Sequence, residues 1–172
     1  MNIVSLKQFD ERLFVRLSAA TRWPGMLTLS RWLSKTGDGY WYPLVGLMAW
    51  WLFPDRGTAF LVATLTAFLV ERPLYWLLKN GFKRNRPAQA MIGIAAVVKP
   101  SDQFSLPSGH TAAAFVMATM LSHFFPETTW WAYGWACLVG GSRVMLRVHF
   151  PADVVCGAAL GLAVATSVLA VV

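Results

Sequence analysis

Charge is what this chain has least of. Only 13% of its 172 residues are Asp, Glu, Lys or Arg, where a soluble domain carries about 25%. By length this is one domain, and its core cannot hide a 56% hydrophobic composition from water. A soluble globule is excluded, and lipid must be the solvent for much of the surface. Cysteine is nearly absent. Cys137 and Cys156 lie in apolar segments and read as small core residues, which argues against a disulfide framework or a thiolate metal site. The first thirty residues lack the unbroken apolar run of a cleavable signal peptide. Internal repeats and low-complexity tracts are missing too. The net charge of +7 largely flanks hydrophobic segments, as in membrane proteins, so nucleic acid is not the expected partner.

What is present is a series of apolar segments broken by turns. Phe9, Leu13, Phe14 and Leu17 share one helical face in the N-terminal region, with Lys7, Arg12 and Arg16 largely off it. That pattern predicts an amphipathic helix, either on the membrane surface or capping a bundle. A short segment from Met26 to Leu33 is broken by Arg31 and ends in the turn Thr36-Gly-Asp-Gly39. Spans are expected at about Tyr40–Phe53, from the Pro54-Asp-Arg-Gly57 turn to about Leu78, at Gly109–Phe125, at Thr129–Arg147, and from Pro151 to the C-terminus. The fold class is therefore all-α: an integral membrane bundle of about five transmembrane helices, six if the Met26 segment inserts. Residues 1–36 form the interfacial region, residues 79–106 a long loop suited to a lid or lipid entrance, and residues 1–172 a single domain. Glu71-Arg72, charged within an apolar span, reads first as an internal pair stapling two helices. The alternative is that Glu71 supports an active-site cation.

Three polar blocks sit where hydrophobic segments meet polar ones. They are Lys79 with Arg86-Pro87, then Pro107-Ser108-Gly109-His110, then Ser142-Arg143 with His149 and Asp153. Hairpin connectivity returns all three to one membrane face. Lys79, Arg86 and Arg143 supply charge for phosphate oxygens, and Lys79 and Arg86 share one side if the helix persists past Gly81. Ser108 is placed as a helix N-cap, leaving the Gly109 and His110 amides free to cradle an anion. Asp153, four residues after His149 at the start of a helix, can hold the imidazole by one nitrogen. His123, thirteen residues beyond His110, lies roughly 20 Å away and is not part of this set. No metal is expected, because the cations already provide the charge that a metal would bring.

These blocks resemble the signature of the type 2 phosphatidic acid phosphatase family, K-x6-RP, PSGH and SR-x5-H-x3-D, in order and without a mismatch. The resemblance spans Lys79 to Asp153. It implies a metal-independent lipid phosphatase without cofactor, in which His149 is the nucleophile, Asp153 orients it and His110 protonates the leaving oxygen. Lys79, Arg86, Ser108, Gly109 and Arg143 would bind phosphate. The family's substrates include phosphatidic acid, phosphatidylglycerol phosphate and polyprenyl diphosphates such as the undecaprenyl carrier, so a membrane lipid phosphate is the expected partner. A lipid phosphotransferase using the same phosphohistidine is the nearest alternative, and a non-catalytic lipid-binding subunit is the alternative of another class. The resemblance also implies a bacterial inner membrane with the site on the periplasmic face. Five spans would instead place the site beside the N-terminal basic residues, which the positive-inside rule assigns to the cytoplasm.

Overall fold

A computed structural model describes residues 3–23 and 25–171, and every regular element among them is helical. In chain order these are α1 (Ile3–Ser18), a 3-10 turn (Ala19–Arg22), α2 (Met26–Thr36), α3 (Trp41–Leu52), α4 (Pro54–Phe82), α5 (Pro87–Ala90), α6 (Gly109–Phe124), a second 3-10 turn (Pro126–Thr128), α7 (Thr129–Met145) and α8 (Pro151–Leu169). The sequence of α6 explains its place. It is small and apolar nearly all round, so it buries every face, from Thr111 through Ala114 and from Val116 through Met120. Helices α4, α7 and α8 surround it, α3 packs on α4, α2 on α7, and α1 against α7 and α8.

The α6–α8 contact positions the site. A Cβ at Gly157 would lie 2.5 Å from the Ser108 carbonyl oxygen, and one at Gly161 would lie 2.3 Å from that of Ala112. Glycines four apart on α8 therefore let the two backbones meet, as small residues do between membrane helices. This close approach brings the start of α6 onto the start of α8, where the Ser108 amide donates to the Asp153 carbonyl at 3.0 Å.

The stretch Pro54–Ala90 and helix Pro151–Leu169 are each long and apolar enough to cross a bilayer. Helices α3, α6 and α7, with 12, 16 and 17 residues, are shorter than the ~20 residues of a full crossing. The outward faces of α3 and α7 carry exposed Leu and Trp side chains, Trp51 and Trp130 among them, which suits a lipid surround.

Four details differ from the sequence expectation. Cys137 and Cys156 are exposed, because in a lipid-solvated bundle an apolar segment turns one face outward. On α1 the buried stripe is Asp10, Phe14 and Ser18, while Phe9 and Leu17 are exposed; the helix docks through a carboxylate and a ring, leaving part of its apolar face free. Glu71, fully buried, pairs with its own neighbour Arg72 at 2.6 Å, so this pair does not bridge two helices. Finally, α4 ends at Phe82 and Lys83 turns left-handed (φ 47°), so Arg86 is not a helical neighbour of Lys79.

Candidate active site

The ends of α4, α7 and the starts of α6 and α8 meet on one side of the bundle, and the polar blocks come with them. Lys79, in the last turn of α4, is buried. Its Nζ donates to both oxygens of the Asp102 carboxylate at 2.9 Å and to the Tyr75 hydroxyl at 2.6 Å. Arg86 reaches the same carboxylate from beyond the helix end, Nη2 to Oδ1 at 2.6 Å, and its Nη1 donates to the Val148 carbonyl at 2.6 Å. Tyr75 completes the cluster by donating to Asp102 Oδ2 at 2.7 Å. Two cations two turns apart in sequence thus converge through a carboxylate, not through helical periodicity.

Helix α6 begins at this point. Ser108 is its N-cap residue, its carbonyl takes the Ala112 amide, and its hydroxyl accepts from Thr111 at 2.9 Å. The next amides belong to Gly109 and His110, so the helix start presents its dipole and free donors to an anion. A side chain at Gly109 would strike the Tyr75 ring, 2.9 Å from the added Cβ. His110 lies one residue on, its Nε2 2.9 Å from Asp38 Oδ1. Asp38 comes from the turn after α2.

Helix α7 ends at Met145, and the chain reverses through Arg147 at φ 59°, a left-handed turn at a helix end. That reversal delivers His149, which is buried. Its Nε2 faces Arg86 Nη1 at 3.4 Å, and its Nδ1 lies 3.6 Å from Asp153 Oδ2. The latter separation is within ion-pair range but longer than a hydrogen bond, and Nδ1 has no hydrogen-bond partner. Asp153 is committed elsewhere. Oδ2 accepts the Phe150 amide at 2.7 Å, and Oδ1 accepts Arg84 Nη1 at 2.8 Å. Arg143, buried near the end of α7, donates through Nη1 to Ser34 Oγ, while its Nε has no partner.

Electrostatics follow from burial and crowding. Burial, reinforced by the Arg86 and Arg143 charges and only partly offset by Asp153, brings the His149 ring down to about 4, so the imidazole is neutral at physiological pH. Burial alone would raise the Asp102 carboxyl. Hydrogen bonds from Lys79 and Tyr75, the Lys79 charge and the Arg86 bond outweigh it and hold the carboxyl at about 2. Asp102 is therefore an anion seated on two cations. Among the described residues no group of three or more His, Cys, Asp or Glu side chains could hold a metal.

The sequence matches the family model of the PAP2 superfamily over residues 56–172. The chain belongs to the PAP2 superfamily. It is 34% identical over 149 residues to the decaprenylphosphoryl-5-phosphoribose phosphatase of Mycobacterium tuberculosis, an alignment covering 84% of this chain and 79% of that protein. The crystal structure of LpxE from Aquifex aeolicus superposes with a TM-score of 0.82 at 28% identity, covering 92% of this chain and 93% of that one. A PAP2 type phosphatidylglycerolphosphate phosphatase from Bacillus subtilis superposes with a TM-score of 0.78 at 29% identity, over 97% of this chain and 86% of that one. This PAP2 chain is thus an integral membrane protein and an enzyme of the phosphatase class.

Sequence reasoning missed Asp10, Ser34, Asp38, Tyr75, Arg84 and Asp102. No motif or period marks Arg84, yet its guanidinium bridges Asp153 and Asp10, 2.6 Å from the latter, over the Phe150 ring. Nothing local marks Asp38 or Asp102, since the His110 that Asp38 holds and the cations that Asp102 joins are remote in sequence. The scarcity of acids is the one available signal: a lipid-solvated chain with few carboxylates keeps them where cations need them.

Proposed function

We propose that this enzyme hydrolyses a phosphate or diphosphate on a membrane lipid through a phosphohistidine on His149, without a metal. The observation that carries this is His149 itself: a buried, neutral imidazole with one nitrogen toward Asp153 and the other beside the Arg86 guanidinium. The lone pair of Nε2 attacks the terminal phosphorus, and its bond to the leaving oxygen breaks: that of the lipid alcohol for a monophosphate, that of the lipid monophosphate for a diphosphate. His110, held by Asp38, gives the leaving oxygen its proton. Lys79, Arg86, Arg143, the Ser108 hydroxyl and the Gly109 and His110 amides take the phosphoryl oxygens as charge builds on them. Asp153 stabilises the imidazolium character that develops at Nδ1. Water, deprotonated by His110, then attacks the phosphohistidine, releasing inorganic phosphate and restoring the free ring.

Residues 1–172 act as one domain in this scheme, and the 79–106 segment brings Asp102 over the cations. The substrate class is a polyprenyl or glycerolipid phosphate: the similarity to a decaprenyl-linked phosphate phosphatase and to a phosphatidylglycerolphosphate phosphatase supports both arms. We assign the bundle to a bacterial inner membrane, with five spans and the site on the periplasmic face. The test is a trapping experiment in detergent with farnesyl diphosphate carrying 32P in its terminal phosphate, quenched in alkali. An acid-labile, alkali-stable label should appear in the wild-type protein and be absent from His149→Ala, which should remain folded yet inactive. Wild-type turnover by His149→Ala would refute the assignment.

A further inference from the structure

A cavity of about 320 Å³ adjoins the site and shares His110 and Arg143 with it; its wall also includes Arg31, Lys35, Asp38 and Lys99. It opens between α2, the 91–107 loop and the end of α7. Its size falls in the range of small-ligand sites, ~300–1,000 Å³.

Its charge is unbalanced in a way the neighbouring cluster is not. Lys79 and Arg86 already have a counterion in Asp102. Around this cavity stand Arg31, Lys35, Lys99 and Arg143, four cations against the single carboxylate of Asp38. That carboxylate is taken by His110 at 2.9 Å and Tyr40 at 3.3 Å. Among the described residues, Arg31, Lys35 and Lys99 make no ion pair with protein; Lys35 Nζ lies over the Trp32 ring, 5.1 Å from its centroid. Arg143 is buried, and its Nε is without a partner. Arg31, Lys35 and Lys99 are exposed and screened by water, so each is free to turn to an anion, while the buried Arg143 on the same wall is not screened. The arrangement is held in place: Arg31 and Lys35 are one turn apart on α2, and the loop bearing Lys99 is pinned where Val97 N donates to Leu146 O at 3.0 Å.

We propose that this cavity is a second anion subsite, which receives another phosphate group of the same substrate while the scissile phosphate sits against His149. His110 and Arg143 belong to both spaces, so a ligand can span them. The assignment rests on the phosphatase reading above and narrows it, favouring lipids that carry two phosphates over lipid monophosphates. The second phosphate can be the inner group of a prenyl diphosphate or the diester of a glycerolipid phosphate. Both offer the same chemistry to the subsite.

The test uses Arg31→Gln, Lys35→Gln, Lys99→Gln and their triple combination, purified in uncharged detergent and checked for folding by size exclusion. Two substrate pairs are compared: farnesyl diphosphate with farnesyl monophosphate, and phosphatidylglycerol phosphate with phosphatidic acid. The triple variant should lose about 10- to 100-fold in kcat/KM, through KM, on the doubly phosphorylated member of at least one pair, the scale of losing charge-assisted contacts. It should change by less than about threefold on the monophosphate partner. The pair that discriminates identifies the source of the second phosphate. Equal losses on both members would reduce these residues to general attraction of anionic lipid, and unchanged kinetics would remove any role; either overturns the subsite. Binding provides a readout independent of turnover. Methylenediphosphonate should raise the wild-type unfolding temperature more than orthophosphate does, and the triple variant should lose that difference; no difference in the wild type overturns the proposal. His149→Ala separates the two levels: it fails if the catalytic assignment is right, yet should keep the preference for methylenediphosphonate.

Discussion

Replacing Arg84 by Met tests whether the buried charge network supports the reacting histidine. Its guanidinium joins Asp153, whose side chain is 0% exposed, to Asp10, whose side chain is 10% exposed. Removing one partner of a buried ion pair costs about 3–5 kcal/mol, because the remaining charge is left without compensation. The lower end applies here. Each carboxylate keeps one backbone donor, Phe150 N at 2.7 Å and Ala152 N at 2.9 Å, and Arg84 itself is 23% exposed. A loss of about 3 kcal/mol in a chain of this length lowers the unfolding midpoint by about 6–12 °C. Asp153, released on one side, no longer holds its position against His149, and kcat should fall about 10- to 100-fold with KM changing little. Arg84→Lys should rescue only part of this, since an ammonium cannot present a planar fork to two carboxylates. Adding Asp10→Asn to Arg84→Met should recover stability by removing one stranded charge. The measurements are thermal unfolding in detergent and steady-state phosphate release. A wild-type midpoint together with wild-type kcat in Arg84→Met would refute the reasoning.

Asp102 occupies the cations that the substrate phosphate needs, so Asp102→Asn should tighten orthovanadate inhibition by about tenfold while lowering the unfolding midpoint; weaker inhibition would show that the carboxylate assists anion binding. His149 titrates at about 4 in the folded chain and at about 6.5 when unfolded, so between those values the unfolded chain binds the extra proton. Stability should therefore fall as pH drops through that window, by at most about 3 kcal/mol from this residue. The loss between pH 7 and 4.5 should be smaller in His149→Gln, and identical losses in both proteins would exclude the assignment. For sidedness, a cysteine at the exposed Ala88, with Cys137 and Cys156 replaced, should react with an impermeant maleimide in intact cells; labelling only after permeabilisation would place the site in the cytoplasm.

The amino-acid sequence by itself determined the helical class, the break points between helices and the residues that converge. These are local properties. Apolar runs need helices in lipid, Ser108 holds an extended conformation from which α6 starts, and Pro151 opens α8 because its ring suits a first turn. Block order then left one membrane face where Lys79, His110, Arg143 and His149 meet. Tertiary structure alone decided what surrounds them. Lys79 and Arg86 share Asp102 although the helix between them ends, because an unpaired cation in a buried site draws a carboxylate from whichever loop can reach it. Asp38 meets His110 across 72 positions and Arg84 meets Asp10 across 74. Such pairings have no period and no motif. They are set by the close crossing of α6 and α8 at Gly157 and Gly161, and by the side on which α1 and α2 then pack. The exposed cysteines have the same origin: hydrophobicity says that a segment avoids water, and only the packed bundle says which of its faces meets protein and which meets lipid.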